Sequence, residues 1–176
     1  MVKLIAEKPL EGYLPKDIGN IRLFEVTYER IQGIAPFDGQ AQNVRTKIKK
    51  ALKTELPLPN RVIGSVQWAG PGQYLVLGDW VPDLSDIAAV TDQSDSWAIM
   101  AVQGAEVEGV LSRLIPIDLR FSVFSQDQTA RTLIGHMAAS VTRVAADRFD
   151  LMVMRSMAGT LAHEVSKAAE IYQSRQ

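Results

Sequence analysis

At 176 residues, with 47% hydrophobic and 22% charged residues, the chain is long enough for one ordinary domain or two small lobes sharing a core, and too apolar for intrinsic disorder. Its 19 Lys and Arg against 20 Asp and Glu leave a net charge of −1, so no overall field recruits nucleic acid or an anionic membrane. The absence of Cys excludes disulfides, thiolate catalysis, thiolate zinc sites and iron–sulfur clusters.

No apolar run approaches the roughly 18–20 residues of a membrane span. Lys3, Glu7, Lys8 and Glu11 interrupt the stretch from Met1 to Tyr13, which therefore lacks a signal-peptide core. A cytoplasmic location is the expectation. Residues 1–20 hold Pro9, Gly12, Pro15 and Gly19 among charges and read as an irregular arm. Residues 21–30 alternate, with Phe24, Val26 and Tyr28 on one face and Glu25, Thr27 and Glu29 on the other, as in a half-buried strand. Gly33, Pro36 and Gly39 are expected to break it.

From Gln40 to Leu56 the period becomes helical, carried by Val44, Ile48, Ala51 and Leu52. Asp38 is a candidate cap, and Pro57 and Pro59 end the helix. Arg45, Lys47, Lys49, Lys50 and Lys53 cover its remaining surface, which fits either a solvated face or a docking surface for an acidic partner. Val62, Val66 and Trp68 suggest a strand, Gly70-Pro71-Gly72 a turn, and Tyr74 to Leu77 the returning strand. A short helix is expected from about Leu84 to Ala89. Trp97 to Val102 reads as a strand buried on both faces. A helix opens at Gly104 and runs through Leu114, with Val107, Val110, Leu111 and Leu114 inward, and Pro116 stops it.

Arg131 to Val144 reads as one long strand, with Asp147 in a turn and Phe149 to Met154 returning beside it. Ser156 can cap a final helix whose buried stripe is Met157, Leu161, Val165, Ala168 and Tyr172. The pattern predicts an α+β fold of two closely packed lobes, each a mostly antiparallel sheet with helices on one face. Their bounds are about 21–95 and 96–176, within a single compact body from 21 to 176. No Lys or Arg lies between Arg61 and Arg113, whereas Asp79, Asp83, Asp86, Asp92, Asp95, Glu106 and Glu108 do. With the basic helix ahead of this window, opposed patches of the kind that orient docking are expected.

Nothing in the residue inventory points to catalysis. His136 and His163 lack ligand-like neighbours other than Glu164, and His163 and Glu164, adjacent on a helix, diverge by about 100°. There is no Gly-x-Ser-x-Gly elbow, no Rossmann fingerprint and no Lys after Gly70-Pro71-Gly72 to make a phosphate cradle. Asp92 and Asp95 suit turn capping. Arg155-Ser156, where a strand gives way to a helix, fits either an anion site or a local ion pair with a cap. Trp68, Trp80, Trp97 and Tyr74 read as core rather than a ligand pocket. Trp80, beside Pro82 in a loop, is the exception expected at the surface against a partner. The candidate partner contacts are therefore Arg45, Lys49, Lys53, Trp80 and Arg155, with no catalytic, cofactor or metal residue.

One resemblance goes further. The stretches Trp68 to Val76, Ala98 to Ala105, Leu114 to Leu119, Thr132 to His136 and Phe149 to Ser156, followed by an amphipathic helix, are similar in order and spacing to the gamma subunit of heterotetrameric sarcosine oxidase. The similarity runs from about Arg61 to Lys167. Met157 departs from the family pattern, which often has an aromatic after Arg-Ser. The resemblance implies a fold related to the folate-binding T-protein of the glycine cleavage system. It also implies a non-catalytic subunit that supports assembly of a complex demethylating sarcosine oxidatively to glycine. Alpha, beta and delta subunits would be the partners and would carry FAD, FMN, NAD and tetrahydrofolate, none of them held by this chain. A stand-alone folate-binding protein of the same superfamily is the alternative, and it is opposed by the short chain and by the missing Cys.

Overall fold

The computed structural model describes residues 6–175; those parts of the expectations that fall on residues 1–5 and 176 lie outside the described residues. Two mostly antiparallel sheets stack face to face. A six-stranded sheet has the order β1-β2-β8-β11-β10-β9, and a five-stranded sheet the order β4-β5-β6-β3-β7. In chain order the strands are β1 (Lys16–Ile18), β2 (Ile21–Glu25), β3 (Ile31–Pro36), β4 (Val62–Ile63), β5 (Val66–Gly70), β6 (Gln73–Leu77), β7 (Ala88–Asp92), β8 (Trp97–Gln103), β9 (Thr129–Ile134), β10 (Met137–Ala145) and β11 (Arg148–Met154). The helices are α1 (Ala41–Leu52), α2 (Val107–Leu111) and α3 (Ala158–Gln173), the last preceded by a 3-10 turn at Arg155–Met157.

Side-chain alternation sorts the strand residues into layers. On β8, Ala98, Met100 and Val102 join a large core with Val110 and Leu111 of α2 and Leu161 and Val165 of α3. Ile99, between them, points the other way and meets Ile31, Ala69, Leu75 and Met152 in the layer between the sheets. Val66 and Val76 face outward from that layer and bury Val44 and Ile48 of α1. Each sheet thus carries helices on its outer face, and β8 is buried on both sides, as its unbroken apolar run requires.

Several local expectations are corrected. The first strand ends at Glu25, and its core face is Ile21 and Leu23, not Phe24, Val26 and Tyr28. Phe24 turns to the opposite face, beneath the guanidinium groups of Arg22 and Arg148. The chain does not break at Gly33 and Pro36: both lie in β3. A Cβ at Gly33 would stand 2.5 Å from Gln93 Nε2, so glycine is what lets these neighbours approach. The helix expected at 84–89 is a turn leading into edge strand β7, whose partner is β3. The long strand at 131–144 is two strands joined by the two-residue loop Gly135-His136, with Gly135 at φ +56°. The α2 helix is shorter than Gly104–Leu114. Neither Asp38 nor Ser156 caps a helix; α1 and α3 begin after Gln40 and Met157 without a side-chain cap.

The arm is not wholly irregular. Leu10 is fully buried, its N–H donates to Glu25 Oε1 (3.0 Å), and β1 pairs with β2. Sheet membership also crosses the expected lobe boundary near residue 95, because β2 pairs with β8 and so joins the later strands. Pairing of segments far apart in sequence decides this, and local pattern carries no record of it.

Candidate functional site

Three of the five expected contact residues, Arg45, Lys49 and Lys53, lie on α1 or its C-terminal cap, Trp80 and Arg155 lie elsewhere, and most are engaged within the chain. Arg45 Nη1 donates to the Leu56 carbonyl (3.1 Å), tying α1 to the segment that follows it. Lys49 pairs with Glu55 and holds its carboxyl below the ordinary carboxylate value. Lys53, in the left-handed conformation that ends α1, donates to the Lys50 carbonyl (3.2 Å). Arg155 donates to the Glu7 carbonyl and lies 3.9 Å from Asp95, which fits the local-pairing alternative.

Trp80 is different. It is 68% exposed, and its ring lies 3.7 Å from the Arg30 guanidinium carbon. Arg30 Nη1 is buried without a hydrogen-bond partner among the described residues, so the indole face is its main company. Arg30 was missed from sequence, because it precedes a strand that the glycines concealed. Tyr74 and Trp97 line a shallow groove with Arg131 and Gln93, and Trp97 Nε1 donates to Gln93 Oε1 (3.1 Å).

The expected opposed patches meet at one place. Lys47 donates to the Asp83 carbonyl (3.2 Å), because Val44 and Ile48 share one core with Val81, Leu84 and Ala88. Backbone and side-chain hydrogen bonds from Ser85, with Lys47 nearby, hold the Asp83 carboxyl below its ordinary value. Asp92 does cap its turn, accepting from Ser94 N (3.0 Å) and Oγ (2.6 Å), which lowers its pKa. Asp118, bonded by the side chain and backbone of Arg120, is lowered to about 2. His136 sits at a hairpin loop and His163 on the exposed face of α3. Among the described residues no group of three or more His, Asp or Glu is placed to hold a metal ion, and no helix is long and apolar enough to cross a membrane.

Between the sheets runs a polar chain. Gln67 of β5 donates to Ser140 Oγ of β10 (2.7 Å), Ser140 contacts Thr129 Oγ1 (3.2 Å), and Thr142 donates to Thr129 (2.8 Å). Beside it, Asp150 accepts from Arg148 Nε (2.9 Å) and Nη2 (3.2 Å). Burial raises the Asp150 pKa, with Arg148 opposing, and burial together with the Asp150 charge raises that of Tyr28. An acid with a raised folded-state pKa binds its proton more tightly folded than unfolded, so its contribution to stability falls as pH rises from the ordinary 3.8 through the folded value. Urea midpoints of wild type and Asp150→Asn should show it: the wild type loses ground to the variant as pH rises across that window. A pH-independent difference would contradict the assignment.

These elements define an α+β protein of two stacked antiparallel sheets with helices on the outer faces. No protein-family model matches the chain, and no curated protein matches it in sequence. The fold is similar to that of a chain of the heterotetrameric sarcosine oxidase from Corynebacterium sp. U-96, solved in complex with pyrrole 2-carboxylate. That likeness has a TM-score of 0.79 at 18% identity and covers 95% of this chain and 96% of that one. The ligand-free regulatory subunit of aspartate kinase from Thermus thermophilus is matched at a TM-score of 0.39 and 13% identity, over 87% of this chain and 99% of that one, too weak to bear on the fold.

Proposed function

We propose that the chain is a non-catalytic, gamma-type subunit of a sarcosine oxidase-like complex, supporting its assembly in the cytoplasm. The observation that carries this reading is the two-way coverage: nearly all of this chain aligns with nearly all of one chain of a heterotetramer. The ordered resemblance between Arg61 and Lys167 to the gamma subunit adds the finer assignment. Partners of alpha, beta and delta type would bring FAD, FMN, NAD and tetrahydrofolate, and demethylate sarcosine to glycine. This chain would hold none of these groups. Purification of the tagged chain after co-expression with such subunits tests the reading, since it should retrieve them in fixed stoichiometry.

The Trp80–Arg30 pair is the contact to test first. Both residue types dominate binding energy where they are desolvated at an interface. With Trp80 so exposed in the isolated chain, Trp80→Ala should cost folding little beyond its pairing with Arg30, about 0.5–1 kcal/mol. It should weaken assembly by about 2 kcal/mol, roughly thirtyfold in Kd. Titration of the variant against the partner subunits reads the effect, and an unchanged affinity would place Trp80 outside the interface.

A further inference from the structure

The layer between the sheets is only partly filled by apolar side chains, and beside Ile99 and Met152 it leaves a cavity of about 250 Å³. Drug-sized ligands occupy roughly 300–1,000 Å³, so this space suits a smaller molecule. The five-stranded sheet contributes Gln67 and Leu77 to its walls, the turn between β4 and β5 Ser65, and the six-stranded sheet Ile99, Asp150 and Met152. Tyr28 adds an aromatic wall, and Asp127 and Arg148 charged ones.

The polar groups facing this space are mostly acceptors with capacity to spare. Gln67 is 3% exposed and spends one of its two amide N–H groups on Ser140, while its Oε1 accepts no hydrogen bond from the described residues. Ser65 Oγ is enclosed without a partner among them. Asp150, 9% exposed, accepts one bond from Arg148 on each oxygen and keeps a lone pair free on each. Among the described residues Arg148 is the one cation lining the cavity. Its Nε and Nη2 are committed to Asp150, and its guanidinium lies 5.1 Å from the Phe24 ring centre. Two carboxylates, Asp127 and Asp150, thus face one guanidinium, whose Nη1 remains uncommitted among the described residues. In a space of low dielectric this favours a cation with several N–H donors and disfavours an anion. A zwitterion's carboxylate could meet the hydroxyls of Ser65 and Tyr28, the second Gln67 amide N–H and Arg148 Nη1, but within a lining of net negative charge.

We infer that the inter-sheet cavity binds a small organic cation, a primary or secondary alkylammonium, whose N–H groups donate to Asp150 and Gln67 Oε1 while its alkyl part lies against Leu77, Ile99 and Met152. The inference is independent of whether the chain joins a larger complex. Each charge-assisted bond is about twice as strong as a neutral one, so selectivity over a neutral isostere is the signature.

The test is an NMR titration of the ¹⁵N-labelled chain with n-butylammonium chloride, with n-butanol and butyrate as isosteres at matched ionic strength. The ammonium ion should give saturable shifts at the amides of Ser65, Gln67 and Asp150, with a Kd about tenfold below that of n-butanol, a difference of about 1.4 kcal/mol. Butyrate should give none. Asp150→Asn should erase the preference for the cation. Ser65→Met, which fills the space without touching the carboxylates, should block ammonium and alcohol alike and serves if the first variant does not fold. Equal binding of n-butanol, tighter binding of butyrate, shifts confined to other surfaces, or no saturable shift at all, as in a cavity that holds only water, would each overturn the inference.

Discussion

Arg143→Met should cost about 3 kcal/mol of folding stability, the largest single-residue effect expected outside the apolar core. Arg143 is fully buried on β10, with its guanidinium carbon 4.2 Å from the Phe149 ring centre and 5.2 Å from that of Phe121. It donates to the Ala146 and Leu119 carbonyls and to Glu108. One side chain thus ties the β10–β11 turn, the α2 helix and the irregular segment after it to a single point. Methionine keeps much of the volume between the rings but leaves two carbonyls and a carboxylate short of a donor. Deleting one member of a buried ion pair costs about 3–5 kcal/mol, and the lower end applies because the Glu108 side chain, 35% exposed, can turn to water. At about 2–4 °C per kcal/mol for a chain of this size, Tm should fall by roughly 10 °C. Adding Glu108→Leu should recover part of the loss, since it removes the stranded carboxylate. Urea unfolding of the wild type and the two variants reads this, and a loss below about 1 kcal/mol in Arg143→Met would contradict it.

Gly104→Ala should be nearly as damaging, by a different route. Gly104 ends β8 at φ +153°, and a Cβ there would stand 2.2 Å from the Asn20 carbonyl oxygen. The obstacle is backbone, not the tip of a flexible side chain. Relief requires moving the start of β2, whose Arg22 and Leu23 are paired with Gln103 and Val102. Strained backbone of this kind costs of order 1–3 kcal/mol per site, and the displaced strand adds lost burial at Ile21 and Leu23. Hydrogen exchange should show the loss concentrated in β1 and β2, with the β9–β10–β11 hairpins protected. Uniform destabilisation would show that the clash is relieved some other way.

The elements legible in the sequence were those whose evidence is local. The β5–β6 hairpin carries its own turn at Gly70-Pro71-Gly72, β8 is an unbroken apolar run, and the buried stripe of α3 recurs at helical spacing in Leu161, Val165 and Ala168. The failures share a cause in long-range pairing. β3 and β7 pair with each other across more than 50 residues, and each alone contains signals that favour a loop or a helix. Gln67 and Asp150 line one cavity only because strands from opposite halves of the chain face each other. Arg143 is a further case. Alternation marks a face, but charge normally marks the wet one, and only the two rings, the carbonyls and Glu108 around it make a buried guanidinium tolerable. Among candidate contacts, the exposure of Trp80 was legible from its loop and nearby Pro82, whereas the cations of α1 gave no sign that Leu56, Glu55 and Lys50 would occupy them.

As proposed above, this chain works as one subunit of a larger oxidase-like assembly. The most direct measurement is the light-scattering mass, with a visible spectrum, of the material purified through a tag on this chain after co-expression with alpha-, beta- and delta-type subunits. A yellow complex of several chains in fixed ratio, carrying flavin on the partners, is the expected result. A colourless species of 19.4 kDa, with the partners expressed but left in the flow-through, would contradict it.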